Sequence, residues 1–475
     1  MSIDFFSQYT MTSDGEAVDT AQRLDVLNPA TEETIAVIPR AGKEHLDAAV
    51  AAARAAFPAW AAQPMDARKE IMAAFAERMA LHADELAALL TREQGKPLAA
   101  AKEEVAGGIH WARHFSTMTL PVALIDTIPG QRISVRSVPL GVVGGIVPWN
   151  FPVLLALWKI APALVAGNTL VIKPSPFTPL TLLKLGELAR GLFPAGVFNV
   201  ICGGDDVGPW MTSHPGIDKI SFTGSTATGR KVMESGAGNL KRLTLELGGN
   251  DAAIVMPDVD IPTVVEPLFW SAFFNCGQIC VAAKRMYIHE EIYDELSQAL
   301  ADYAKSVRTG DGAQEGITLG PVQNRQQFAR LKGMLAEARE SGLRFLAGGQ
   351  MPEAGKGYFF PVTIVDNPPD DAKVVTEEAF GPILPLLKFK TIDEVVARAN
   401  NSEYGLGGTI WAKDTDHAQA VALRLQTGTV WINQAFGVFP EAAFGGHKQS
   451  GIGTENGLDG LREYTNTQTI TLKTA

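Results

Sequence analysis

Between Lys43 and about Thr117 apolar residues recur at helical spacing, with Leu46, Val50, Ala53 and Phe57 in one stripe and Ile71, Phe75 and Met79 in another. Asp or Glu stands near the expected starts, so this stretch reads as an all-helical block. The texture then changes. Short β-branched runs bounded by Gly and Pro, at Val142 to Val147, Thr169 to Lys173, Val197 to Ile201 and Lys219 to Thr223, alternate with helical stretches. That alternation predicts a parallel sheet covered on both faces. A second α/β series follows Gly249. Its strands are expected at Ala252 to Met256, Arg285 to His289, Ile383 to Phe389, Gly408 to Ala412 and Gly428 to Ile432, with helices at 290 to 307, 323 to 341 and 414 to 427. Two further segments, about 121 to 139 and 464 to 473, alternate polar and apolar residues and lack an evident strand partner nearby in sequence. Exposed edges of this kind need cover, and a neighbouring subunit can supply it.

With 475 residues the chain exceeds what one core usually organises, so two or more domains are expected. The net charge of −11 argues against a nucleic-acid backbone or an anionic membrane as partner, while leaving room for a local site that takes one nucleotide. Three cysteines, Cys202, Cys276 and Cys280, are too few for a disulfide framework in a chain this long. Met1 to Thr10 carries no signal-peptide pattern, and no apolar run reaches membrane-spanning length. The reading is a cytoplasmic protein. The eight histidines show no metal-ligand spacing, and no metal is expected.

Three stretches carry candidate chemistry. In Phe274-Asn275-Cys276-Gly277-Gln278-Ile279-Cys280, Cys280 sits at an expected loop-to-helix junction, where free N–H groups stabilise a thiolate. On these residues alone it is a nucleophile or a packed thiol, and Cys276 reads as packed. In Leu245-Glu246-Leu247-Gly248-Gly249-Asn250 an acid closes an apolar strand, which suits a general base of raised pKa or a salt-bridged carboxylate. In Pro148-Trp149-Asn150-Phe151-Pro152 the Asn150 amide, held between prolines, can steady negative charge on a carbonyl oxygen or simply cap a helix.

These motifs, with Trp158-Lys159, Lys173-Pro174-Ser175, Phe222-Thr223-Gly224-Ser225, Glu378-Ala379-Phe380-Gly381-Pro382 and Phe444-Gly445-Gly446-His447-Lys448, occur in an order that resembles the aldehyde dehydrogenase superfamily over nearly the whole chain. The resemblance implies an α/β fold with a Rossmann-like cofactor-binding domain (1–120 and 140–248), an α/β catalytic domain (249–448) and a small β oligomerisation segment (121–139 and 464–475). It also implies a chemistry. Cys280 attacks an aldehyde, Asn150 and the Cys280 backbone N–H hold the oxyanion, and Glu246 activates the water that hydrolyses the thioester, with Lys159 and Glu455 helping to relay the proton.

No G-x-G-x-x-G loop follows an early strand, and Gly203 to Gly208 fits that pattern poorly. The resemblance instead assigns the cofactor to Trp149, Lys173, Ser175, Gly224, Ser225, Glu378 and Phe380, and a helix starting near Ser225 would offer N–H groups to phosphate in any case. Where NAD-preferring relatives often carry Glu three residues after the lysine, this chain has Pro176, so NAD is expected with NADP left open. The positions similar to the family's aldehyde tunnel are Phe151, Leu155, Trp158, Phe274, Ile279 and Phe444, and they favour an apolar aromatic or aliphatic aldehyde over a diacid precursor. A homodimer or homotetramer is expected. The competing readings are a semialdehyde-specific enzyme, a CoA-acylating relative, against which Glu246 speaks, and a silent binding protein, against which Cys280, Asn150 and Glu246 speak together.

Overall fold

A computed structural model describes residues 3–352 and 355–474. Met1, Ser2 and Ala475, at the ends of two expected segments, lie outside the described residues. Two small antiparallel pairs, Met11–Ser13 with Glu16–Val18 and Arg23–Leu27 with Thr34–Pro39, precede the helical block, and the periodicity reading did not anticipate them. The block itself is four helices, Lys43–Ala62, Met65–Ala80, Ala83–Gln94 and Leu98–Phe115. Their stripes face inward, with Leu46, Val50, Ala53, Phe75 and Met79 buried.

Each α/β series builds its own sheet. In the first, the parallel strands lie in the order Phe198–Val200, Thr169–Lys173, Val142–Ile146, Lys219–Thr223 and Arg242–Glu246, with short antiparallel strands at both edges. In the second the order is Arg344–Ala347, Thr363–Asp366, Ile383–Phe389, Ala283–His289, Asp251–Val255, Gly407–Trp411 and Thr429–Ile432, parallel except at the first pair. The α/β expectation therefore holds. The central strands are buried along their whole length, as helices on both faces require. Helices in the second half are shorter than periodicity suggested, at Tyr293–Ala304, Arg325–Glu340 and Thr415–Ala422. Asn324 and Asp414 cap the starts of the last two, and their side chains each accept a backbone N–H.

The two segments that lack a strand partner nearby in sequence pair with each other. Gln131–Pro139 and Thr465–Lys473 run antiparallel from Thr465 opposite Pro139 to Lys473 opposite Gln131, and Ala123–Ile125 adds a third strand. Leu124, Ile125, Ile470 and Leu472 remain exposed on this small sheet.

Candidate active site

In the first sheet, Val142–Ile146 and Lys219–Thr223 are neighbours, yet the chain winds away from them in opposite directions, to Thr169–Lys173 on one side and Arg242–Glu246 on the other. Loops leaving such a switch point diverge and open a crevice at the C-terminal ends of the strands. One loop carries Trp149 and Asn150, the other Gly224 and Ser225. They line a cavity of about 600 Å³ together with Cys280, Glu378, Phe380, Gln327, Arg330 and Tyr404. Sequence positions more than 200 residues apart thus share one wall.

Cys280 is partly exposed in this wall, but its expected setting is wrong. Ala283 begins a strand, so the junction runs from loop to strand and the expected helix after Cys280 is not formed. Burial pushes the thiol up to about 12; Lys284 opposes the rise, while Glu246, Asp251 and Glu378 add to it. The turn before Cys280 is held in an unusual shape, with Asn275, Cys276 and Gly277 at φ of 50°, 59° and 70°. A Cβ on Gly277 would stand 2.4 Å from the Gly381 carbonyl, so only glycine allows the turn to approach the loop that bears Phe380. Cys276 is buried with its thiol raised to about 12, as befits a packed residue.

Asn150 is pinned on both sides. Its carbonyl accepts Lys96 Nζ and Asn275 Nδ2, each at 3.0 Å, and its own Nδ2 donates to Gln278 O at 3.0 Å. One amide hydrogen is left for a ligand. Lys96 is in turn held 2.5 Å from Glu104 in a buried pair, and Glu104 Oε1 accepts Val153 N and Leu154 N at the start of the helix Pro152–Val165.

Glu246 ends its strand with both carboxylate oxygens buried and bonded to no protein group. Burial raises its pKa well above the ordinary value, Glu455 adds to the rise, and Lys159 opposes it. Such a group costs several kcal/mol unless something else meets it, which marks it as a functional candidate. Behind it, Lys159 Nζ donates to Ser221 Oγ at 3.0 Å, Thr223 Oγ1 at 2.9 Å and Glu455 Oε1 at 3.1 Å, all inside the core.

The remaining cofactor candidates divide. Ser225 caps the helix Thr226–Gly236, its Oγ accepting Thr228 N at 3.2 Å. Glu378 Oε1 accepts Gly249 N at 3.0 Å, and a Cβ on Gly248 would meet Glu378 Oε2 at 2.5 Å. Phe380, at φ 52°, sets its ring edge-on to Trp149 at 5.4 Å. Lys173 and Ser175 are buried at the end of the next strand and do not line the cavity. Lys173 Nζ donates to Pro174 O at 3.1 Å, and burial lowers its pKa against the pull of Asp205.

None of the six tunnel candidates lines this cavity. Leu155, Trp158, Ile279 and Phe444 are buried, and Phe151 and Phe274 are half-buried. Trp158 stacks on Trp111 at 5.9 Å and meets Phe444 edge-on at 5.4 Å, while Phe274 packs against Phe436 at 6.2 Å.

Sequence reasoning missed Lys96, Glu104, Lys284, Gln327, Arg330, Trp111 and Phe436. For Glu104 a signal existed, since it stands on the apolar face of its helix beside Ala101, Val105 and Gly108. Gln327 and Arg330 hold the Glu378–Phe380 loop through its carbonyls, contacts that no local pattern reveals.

Residues 17–470 match the profile of the Aldehyde dehydrogenase family. A phenylacetaldehyde dehydrogenase of Pseudomonas fluorescens is 39% identical, covering 94% of this chain and 92% of its own. A succinate-semialdehyde dehydrogenase [NADP(+)] of Escherichia coli is 40% identical, covering 95% of each chain. The solved structure of betaine aldehyde dehydrogenase from Staphylococcus aureus in complex with NAD+ superposes with a TM-score of 0.95 at 35% identity, covering 98% of this chain and 95% of that one. With the motifs, the two parallel sheets and the match along almost its full length in agreement, the chain belongs to the aldehyde dehydrogenase family.

Proposed function

We propose that the protein oxidises an apolar aldehyde to its carboxylic acid with NAD+, through a thioester on Cys280. The observation that carries this reading is the shared wall of the switch-point cavity, where Cys280 and Asn150 stand beside Ser225, Glu378 and Phe380. The cavity suits a dinucleotide: the capped helix start at Ser225 offers N–H groups to phosphate, and the Glu378 carboxylate offers acceptors to ribose hydroxyls. Trp149 and Phe380 present aromatic walls at the same place. A bound NAD+ would supply the hydride acceptor.

The chain's own groups supply the rest. Cys280 Sγ adds to the aldehyde carbon, and the free hydrogen of Asn150 Nδ2 with the Cys280 N–H takes the charge that forms on oxygen. Loss of hydride from the adduct leaves a thioester. Glu246, unpaired and of raised pKa, accepts a proton from the water that attacks it, and Lys159 with Glu455 lies behind to pass that proton on. The apolar tail is taken from the family resemblance at Trp158, Phe444, Phe274 and Phe151, none of which lines the cavity that holds Cys280.

The relative of Escherichia coli, named for a semialdehyde, keeps a second reading alive, in which the substrate carries its own carboxylate. A panel of aromatic, aliphatic and semialdehyde substrates, followed by reduced-cofactor absorbance with NAD+ and NADP+, separates the two. Highest kcat/KM on an aromatic or long aliphatic aldehyde is expected; highest kcat/KM on a semialdehyde would overturn the apolar assignment. We place the enzyme in the cytoplasm, since Cys202, Cys276 and Cys280 are all free thiols, and fractionation of the source cells tests this. The small sheet of residues 123–139 and 465–473 serves as the homo-oligomer interface on this reading, because its exposed face carries Leu124, Ile470 and Leu472.

A further inference from the structure

The segment after Cys280 is a strand and not the expected helix, so it supplies no helix-end potential to the sulfur. The groups around Cys280 are mostly acidic. Glu246 ends one strand, Asp251 begins the next, and Glu378 reaches in from the loop after the helix Lys373–Thr376; all three disfavour a thiolate. Asp251 is itself buried, and burial raises it to about 7 against the pull of Lys284 and the Gly407 N–H. Against these stands the Lys284 ammonium. Lys284, the second residue of the strand Ala283–His289, is 4% exposed and turns its ammonium back under the cysteine turn.

That ammonium donates to Cys280 O at 2.6 Å and to Ile279 O at 2.9 Å, and forms an ion pair with Glu378 Oε1 at 3.3 Å. Glu378 in turn accepts Gly249 N. A buried ammonium satisfied in this way does two things at once. It holds the backbone of the nucleophile and Glu378 in one fixed geometry, and it sets a positive charge against the Cys280 carbonyl, from where it favours the thiolate.

We propose that Lys284 is a positioning residue that activates Cys280, binding the nucleophile turn to Glu378 and supplying the charge that favours the thiolate. This rests on Cys280 being the nucleophile. A lysine is well suited to the task, since three donors radiate from one point charge and reach carbonyls on one side and a carboxylate on the other.

The test is the rate at which iodoacetamide alkylates Cys280, measured by peptide mass spectrometry between about pH 7 and 10, where the thiolate is the reacting form. Removing an adjacent opposite charge shifts a titrating group by about one unit or more. The Lys284→Met and Lys284→Gln variants should therefore hold a smaller thiolate fraction than the parent throughout this range, which is read as slower labelling at each pH. Because a less acidic thiol gives a better nucleophile, labelling at a given pH below the midpoint should slow about threefold rather than tenfold. Lys284→Arg keeps the charge and should label within about twofold of the parent. Thermal unfolding of each variant identifies those that keep the fold, and Gln stands in if Met does not. Unchanged labelling in a folded neutral variant overturns the proposal. So does an arginine variant as slow as the neutral ones, which would make side-chain shape the deciding factor. A parent protein in which Cys280 is never labelled, at any pH, removes instead the assignment of Cys280 as nucleophile.

Discussion

Lys159 Nζ and Glu455 Oε1 lie 3.1 Å apart with neither residue exposed, although 296 positions separate them in the chain. Ser221 Oγ also donates to Glu455 Oε1, at 3.0 Å, so the carboxylate is held from two sides. A charge buried in this way is tolerable only while its partner remains. Glu455→Leu leaves the Lys159 ammonium among hydroxyls alone and should cost about 3–5 kcal/mol of stability, read from denaturant midpoints. The double variant Lys159→Met with Glu455→Leu should regain most of that loss. A single variant as stable as the parent would show that the pair is not a structural unit.

Cys280→Ala should abolish turnover while leaving nucleotide binding intact, as followed by fluorescence titration. The sulfur lines the cavity without bonding its other walls, so the alanine variant should keep its fold. Loss of binding together with turnover would mean that Cys280 is a structural residue.

Glu246→Gln should give one rapid equivalent of reduced cofactor and then stall, because acylation proceeds and water is no longer activated. The parent enzyme has a matching pH dependence. A carboxyl with a raised pKa is protonated, and useless as a base, until pH exceeds that value, so deacylation-limited turnover should climb with pH through a midpoint above the usual carboxylate range. Full steady-state turnover in the glutamine variant would take Glu246 out of the mechanism.

Pro176→Glu should sharpen the preference for NAD+. A carboxylate near the adenosine ribose would repel a 2′-phosphate, so kcat/KM with NADP+ should fall about tenfold or more relative to NAD+. An unchanged ratio would show that this position does not face the ribose.

If the small sheet is the interface proposed above, Leu472→Lys on its exposed face should lower the mass seen in light scattering with little change in unfolding temperature. If the parent itself is a monomer, the interface reading fails.

Much of this protein was legible without coordinates. The motifs that identify Asn150, Glu246 and Cys280 are short and contiguous, and the alternation of β-branched runs with helical stripes follows from side-chain geometry within each element. The family resemblance rested on such local features, and so did the α/β class. What the tertiary structure decided was everything set by neighbours distant in the chain. Gln131–Pro139 found its partner more than 300 residues away, Cys280 faced Lys284 and three acids instead of a helix end, and Asn150 was fixed by Lys96 and Asn275. Period and turn chemistry act over a few residues. Burial, strand pairing and the field at a titrating atom depend on which segments meet in space, and those meetings appear only when the chain is closed.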